Sequence, residues 1–282
     1  MPTSSDPILE DKKIIIMGNK ETNFLINSLK KRLYVILVRP EKPENIGLAA
    51  RAMKNTGFVN LRLAGLNKLD RKSSITAVHA QEILESARLF PGVSEACSDL
   101  NVVLASTSKK RKNFPLLSLE EAVVKTFQFP EATRIGILFG NEQTGLTSEE
   151  LAQANLRFTI PQAANQPSYN LASAVLLTLF SLFTQKRVDV GATGGIPLPW
   201  KEQQECFHLL LKKLEEKKFI HETNRRHVTE MVFSLFGRLA MTEKDKKFLL
   251  AVFSKGPDRE SRKSGKSGKS RESGQSRWSK QD

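Results

Sequence analysis

Three polar stretches in this 282-residue chain carry residues that could do chemistry, and each lies between apolar runs. The first is Asn45-Ile46-Gly47-Leu48-Ala49-Ala50-Arg51 and the second Gly140-Asn141-Glu142-Gln143-Thr144-Gly145-Leu146. The third runs from Asn165 to Val175 and holds Ser168 and Asn170. On a helix starting near Ile46, Gly47 and Arg51 are four apart and share a face. Gly47 would let a ligand approach the backbone, and Arg51, set among Leu48, Ala49, Ala50, Ala52 and Met53, would project a charge beside it. Taken alone, a surface helix with a solvated Arg explains the same residues. The second stretch is glycine-rich but is neither a Walker loop nor a Gly-x-Gly-x-x-Gly fingerprint. Its Glu142 disfavours a bare phosphate and suits a ligand with a cationic end, hydroxyls or an adenine amino group. Asn170 heads a long apolar run, which simple N-capping would explain.

Other chemistries find no support. His79, His208, His221 and His227 stand beside no candidate nucleophile and lack ligand spacing, so no Ser-His-Asp or zinc signature is present and no metal is expected. Cys97 and Cys206 are far apart, as in a reduced cytosolic chain. No apolar run approaches the roughly 18–20 residues of a membrane span. The short run Ile14 to Met17 follows acidic residues and does not read as a signal peptide. Membrane attachment is therefore not expected, and a cytoplasmic location is.

The elements that must position the three stretches alternate regularly. Strand-like runs rich in Val, Ile, Leu and Phe fall at 34–38, 59–64, 101–106, 134–139 and 156–160. Helix-like runs fall between them at 46–55, 74–87, 118–127, 147–153 and 170–186, with Gly57 as a C-cap and Thr147 to Glu150 as a capping sequence. The predicted fold class is α/β, a parallel sheet covered on both faces. In such sheets ligands bind at the carboxyl ends of strands, where all three stretches would lie, so one composite site is expected. Around this domain, placed at 33–190, the chain has an N-terminal extension, 1–32, with a small helix at 22–31. A Gly- and Pro-containing linker at 191–200 leads to a helical segment at 201–254, with runs at 201–218, 223–239 and 243–253. Phe207, Leu210, Leu211 and Leu214 have amphipathic spacing. About fifty helical residues make a marginal core alone, so these helices should pack on the main domain or on a second subunit. Residues 255–282 are Ser, Gly, Lys and Arg with almost nothing apolar, which predicts disorder.

The net charge is +14; residues 255–282 hold nine Lys or Arg against four Asp or Glu, a net +5, leaving +9 on the rest. Such an excess attracts polyanions, and nucleic acid is the expected partner. Lys109-Lys110-Arg111-Lys112 and the tail are candidate phosphate contacts, although a solvated loop and a solubilising tail account for the same charges.

In order, the stretches read Asn-x-Gly-x-x-x-Arg, Phe-Gly-x-Glu-x-x-Gly-Leu from Phe139, and Ile160-Pro161 followed by Ser168-x-Asn170-Leu171-Ala172. This set resembles the SPOUT superfamily of RNA methyltransferases, and within it the TrmH/TrmJ branch of ribose 2′-O-methyltransferases. The likeness spans about 33–187, and 201–254 resembles the C-terminal domain of TrmJ-like enzymes. It implies a C-terminal trefoil knot, S-adenosylmethionine as cofactor, and a homodimer with its active site at the interface. Matched by motif, it implies a reaction centre of Asn45, Arg51, Glu142 and Asn170 with Ser168 as neighbour. Cofactor contacts are implied around Thr107, Leu138, Gly140, Asn141, Glu142, Ile160 and Leu171. The substrate expected from the TrmJ likeness is the first nucleotide of a tRNA anticodon loop, with rRNA methylation or a non-catalytic RNA-binding role as alternatives. Two features depart from the family outline: Tyr169 stands where relatives commonly have Leu, and residues 1–32 and the basic tail are additional. A doubly wound dehydrogenase would need a glycine fingerprint after the first strand, where the chain instead reads Arg39-Pro40-Glu41-Lys42-Pro43.

Overall fold

Five runs rich in Val, Ile, Leu and Phe pair as the central strands of one parallel sheet. The computed structural model describes residues 19–108, 115–163, 168–185, 195–237 and 240–254. The central strands are β1 (Leu33–Val38), β2 (Asn60–Ala64), β4 (Val102–Ser106), β6 (Ile135–Phe139) and β7 (Leu156–Thr159). Two short strands, β3 (Arg88–Phe90) and β5 (Leu117–Ser118), add edges that the sequence pattern did not reveal. The order is β3-β2-β1-β6-β4-β7-β5, so β6 inserts between β1 and β4. Successive side chains of a strand point to opposite faces. Val35 and Leu37 accordingly join one apolar cluster with Leu63, Leu104 and Ile137, while Ile36 and Val38 join a second with Val103, Ala105 and Leu138. Both faces are buried, which is why β1, β4 and β6 read as nearly continuous apolar runs, while β2 and β7 each enclose one buried arginine, Arg62 and Arg157.

Helices cover the faces. The first cluster lies under α1 (Asn19–Arg32), α2 (Pro43–Thr56), α6 (Leu119–Gln128) and α8 (Leu171–Phe183). Helix α1 runs straight into β1 and buries Ile26 and Leu29 in that cluster, so the described part of the extension, residues 19–32, belongs to the core packing. Helix α2 begins with Pro43 at its first turn and ends at Gly57 in the left-handed conformation (φ 80°). The helix expected at 74–87 is two pieces, α3 (Arg71–Ala77) and α4 (Gln81–Glu85), because Val78 adopts φ 51° and breaks the path. A short α5 (Val93–Cys97) and α7 (Ser148–Ala152) complete the domain, the latter opened by the anticipated capping box of Thr147 and Glu150.

Gly47 is explained by this layer. A Cβ there would lie 2.1 Å from Ser73 O and 2.1 Å from Thr76 Oγ1 on α3. The missing side chain lets α2 and α3 cross, and the expectation that it admits a ligand is corrected: α3 occupies that space. Thr76 uses the proximity to donate to Glu44 O at 2.9 Å. Gly47→Ala should therefore destabilise by about 1–3 kcal/mol through overpacking. Thermal denaturation checks this, since a domain of this size loses roughly 2–4 °C per kcal/mol.

Of the C-terminal helices, α9 (Trp200–Glu216) and α10 (Arg225–Gly237) pack on α5 and α7 of the sheet domain, one of the two expected arrangements, and α11 (Glu243–Ser254) packs on α9. Trp200 donates its backbone N–H to Leu100 O and its indole N–H to Gln153 O at 2.9 Å. Gln203 is fully buried; its amide donates to Asn101 O at 2.8 Å and Leu198 O at 2.7 Å and accepts from Asn155 Nδ2 at 3.2 Å. Phe207 and Leu210 are buried as their spacing indicated. No described helix is long and apolar enough to cross a membrane. Cys97 is buried, which pushes its thiol pKa up and leaves it inert. Lys109 to Lys112 and the tail lie outside the described residues.

Candidate active site

The carboxyl ends of β4, β6 and β7 open onto a cleft of about 330 Å³, within the range of roughly 300–1,000 Å³ typical of small-molecule sites. Ser106 and Thr107 border it from β4, Phe139 to Leu146 from β6, Ile160 from β7, and Ser168 and Leu171 from the start of α8. Six of the seven residues expected around the cofactor therefore line one cavity: Thr107, Gly140, Asn141, Glu142, Ile160 and Leu171. Leu138 does not. It sits one residue earlier in the strand, its side chain turned into the opposite apolar cluster, while Phe139 faces the cleft. Phe139 and Tyr169, both within the quoted motifs, line the cleft as well; Ser106 and Thr159 are lining residues the motif reading missed, and their signal was only their place at strand ends.

The β6–α7 loop owes its shape to two residues. A Cβ on Gly140 would come 2.4 Å from Gly145 C and Leu146 N, so only glycine allows the loop to fold back on itself. Asn141 is buried, and its side-chain oxygen accepts from the N–H groups of Gln143 (2.8 Å) and Thr144 (3.0 Å). Its amide donates to Arg39 O at 2.9 Å. The side chain thus holds the loop, leaving the backbone to face the cleft.

The three motifs meet beside this loop. Asn45, in the first turn of α2 and 5% exposed, donates to Glu142 Oε1 at 2.7 Å. Asn170 donates to Asn45 Oδ1 at 3.0 Å while its own oxygen caps α8 by accepting from Ala172 N at 2.9 Å. Glu142 also accepts from the backbone N–H groups of Glu41 (3.0 Å) and Lys42 (3.4 Å). N-capping by Asn170 is real, and one amide serves both purposes. Glu142 thus accepts from two donors on Oε1 and one on Oε2, and it stays partly exposed on the cleft.

Burial pushes the Glu142 carboxyl up, but hydrogen bonds from Asn45 and from the backbone of Glu41 and Lys42 outweigh it and hold the pKa below the ordinary carboxylate value. A group depressed on folding stabilises above its unfolded pKa, near 4.3 for Glu. That contribution is lost as pH falls through the lower folded value. Glu142→Gln should therefore lower the melting temperature at pH 7 and narrow the difference in melting temperature between pH 7 and pH 4. A pH series of thermal melts on both proteins checks the sign.

Arg51 stands apart from this chain. It lies six residues, roughly 9 Å of helix rise, beyond Asn45. It is exposed and makes no hydrogen bond or ion pair among the described residues, in agreement with a solvated arginine. The structure thus brings together Asn45, Glu142 and Asn170, with Ser168 on the cleft wall, and leaves Arg51 free on the outer surface of α2.

A parallel α/β sheet with a cleft at its carboxyl edge, walled by a glycine-shaped loop and hydroxyl-bearing strand ends, defines a protein that binds a small molecule at its strand ends. Apolar Phe139, Leu146, Ile160 and Leu171 with flanking hydroxyls suit a nucleoside better than a polyphosphate. Comparison with known proteins makes the class specific. Residues 32–180 match the SpoU rRNA Methylase family. The tRNA (cytidine-2′-O-)-methyltransferase TrmJ of Methanocaldococcus jannaschii is 31% identical over 208 residues, 73% of this chain and 89% of that one. The tRNA (cytidine/uridine/adenosine-2′-O-)-methyltransferase TrmJ of Pseudomonas aeruginosa is 28% identical over 79% of this chain and 93% of its own length. The crystal structure of TrmJ from Z. mobilis superposes with a TM-score of 0.69 at 30% identity, covering 78% of this chain and 97% of that one. The chain belongs to the SpoU methylase family of RNA methyltransferases.

Proposed function

We propose that the chain transfers the methyl group of S-adenosylmethionine to a ribose 2′-OH of tRNA, at the first nucleotide of the anticodon loop. The observation that carries this reading is the Glu142–Asn45–Asn170 hydrogen-bonded chain, which unites the three motifs on the rim of the cleft. Two TrmJ relatives that match along about nine tenths of their own length support tRNA as the substrate. The reading includes a trefoil knot in the C-terminal part of the sheet domain, residues 201–254 as a separate helical domain, and a cytoplasmic location alongside tRNA.

The cleft residues fit the cofactor: Thr107, Gly140, Ile160 and Leu171 offer backbone and apolar walls to an adenosine, and Ser168 and Thr159 offer hydroxyls. When bound, it supplies an activated methyl for in-line attack by an oxygen nucleophile. The protein's part is alignment, which contributes up to roughly 7–11 kcal/mol in well-oriented cases. Glu142 and Asn45 fix the rim where cofactor and ribose meet. Arg51, a permanent cation without a partner among the described residues, holds the target phosphate and steadies the charge developing on the ribose oxygen.

An exposed Arg fits a residue that must meet a macromolecule. Helices α2 and α8 pack together, and both leave large apolar side chains in solvent: Leu48 on the first, Leu176, Phe180 (53% exposed) and Phe183 on the second. Such surface supports a homodimer whose interface completes the site.

The test is methyl transfer from labelled S-adenosylmethionine to separate tRNA and rRNA pools, followed by nuclease digestion. A labelled 2′-O-methylnucleotide from the anticodon loop supports the reading; label only in rRNA keeps the chemistry and replaces the substrate. Cofactor binding without label in either pool points to a non-catalytic RNA-binding role.

A further inference from the structure

Arg39 follows β1 and adopts φ 47°, a left-handed conformation that non-glycine residues seldom take. Its backbone N–H donates to Ala64 O at 2.8 Å and its carbonyl accepts from Asn141 Nδ2 at 2.9 Å. The guanidinium reaches the far side of the β6–α7 loop, where Nε and Nη2 donate to the two oxygens of Glu150 at 2.8 and 2.9 Å. The second nitrogen also lies 3.3 Å from Gly145 O. Glu150 is itself fixed, since it accepts from Thr147 N at 2.7 Å as half of the α7 capping box. Room for the arginine stem comes from Gly65, where a Cβ would lie 2.8 Å from Arg39 Cγ. Backbone and side chain of one residue therefore grip the loop at Asn141 and at Gly145. Both gripped residues line the cleft, whereas Arg39 and Glu150 do not.

We infer that Arg39 is a positioning residue for the cofactor, holding the 140–146 wall of the cleft in its binding shape through Glu150 and the Gly145 carbonyl. This rests on reading the cleft as the cofactor site. A bidentate arginine–carboxylate pair fixes direction as well as distance, which an ammonium cannot reproduce. A loop that is correctly shaped before binding spares the ligand the cost of ordering it.

The experiment measures binding of S-adenosylhomocysteine by calorimetry, and steady-state methyl transfer, for the wild type, Arg39→Ala, Arg39→Lys and Glu150→Gln. Arg39→Ala should raise the dissociation constant and the KM for S-adenosylmethionine about tenfold, with kcat and the KM for RNA within twofold. Arg39→Lys should recover only part of the loss. Adding Glu150→Gln to Arg39→Ala should weaken binding little further, because both act through one lock. Unchanged binding in every variant, or a fall in melting temperature without a change in affinity, overturns the inference while leaving the cleft reading intact. A wild type that fails to bind the probe overturns both. If Arg39→Ala does not fold, Arg39→Lys and Glu150→Gln carry the same comparison.

Discussion

Arg51→Ala is expected to reduce methyl transfer by on the order of 10²–10³, the loss seen when one preorganised donor to a developing oxyanion is removed. The side chain is exposed on α2 and takes no part in the Asn45–Glu142–Asn170 chain. Nothing in the cleft depends on it, so S-adenosylhomocysteine affinity should stay within about twofold. Stability should hold as well, because alanine is the best helix former and no contact among the described residues is lost. Arg51→Lys separates charge from shape: it keeps the cation and loses the fork, and should fall between wild type and alanine. Single-turnover rates with saturating cofactor, read beside a binding isotherm, decide the matter. Equal loss of turnover and cofactor binding would make Arg51 a structural residue and remove it from the reaction centre.

How far the sequence foretold this arrangement depends on the range of the interaction involved. The central strands were legible because they bury both faces: β1, β4 and β6 show nearly unbroken apolar runs, and β2 and β7 are interrupted only by the buried Arg62 and Arg157 with polar residues at their ends. β3 and β5, three and two residues long, are shorter than any periodicity can register. The break between α3 and α4 falls at Val78, a β-branched residue in a left-handed conformation, where no glycine or proline announces it. At the site, Asn45 and Asn170 could be named as candidates, but they touch across 125 residues, and no local spacing encodes that contact. Gly47 was misjudged for a related reason: helical spacing says which residues share a face, and only the packing says that α3 covers it. Arg39 and Gln203 were invisible as functional or docking residues because the partners that give them meaning, Glu150 and Asn101, lie 111 and 102 residues away.

Gly140→Ala tests the loop that forms the cleft wall. The added carbon would stand 2.4 Å from two backbone atoms, Gly145 C and Leu146 N, and 2.9 Å from Gly145 O. No side chain can swing aside to relieve that contact. The backbone is also held, by the Gly145 N–H to Asn141 O bond at 2.9 Å and by Arg39 on the Gly145 carbonyl. The loop must open toward the cleft or away from it, and either movement displaces residues that line it. Overpacking of this kind costs about 1–3 kcal/mol. Since about 1.4 kcal/mol is a factor of ten, cofactor affinity should fall roughly tenfold to 100-fold if the strain is relieved only in a deformed cleft. Gly145→Ala provides the contrast. A Cβ there meets nothing within 4 Å, and the cost is confined to holding φ at 68°, about 1–2 kcal/mol without displacement of neighbours. Calorimetry with S-adenosylhomocysteine should therefore rank wild type first, Gly145→Ala next and Gly140→Ala last. Wild-type affinity in Gly140→Ala would mean that the cofactor does not lean on this wall, and the binding surface would have to be sought along β4 and α8 instead.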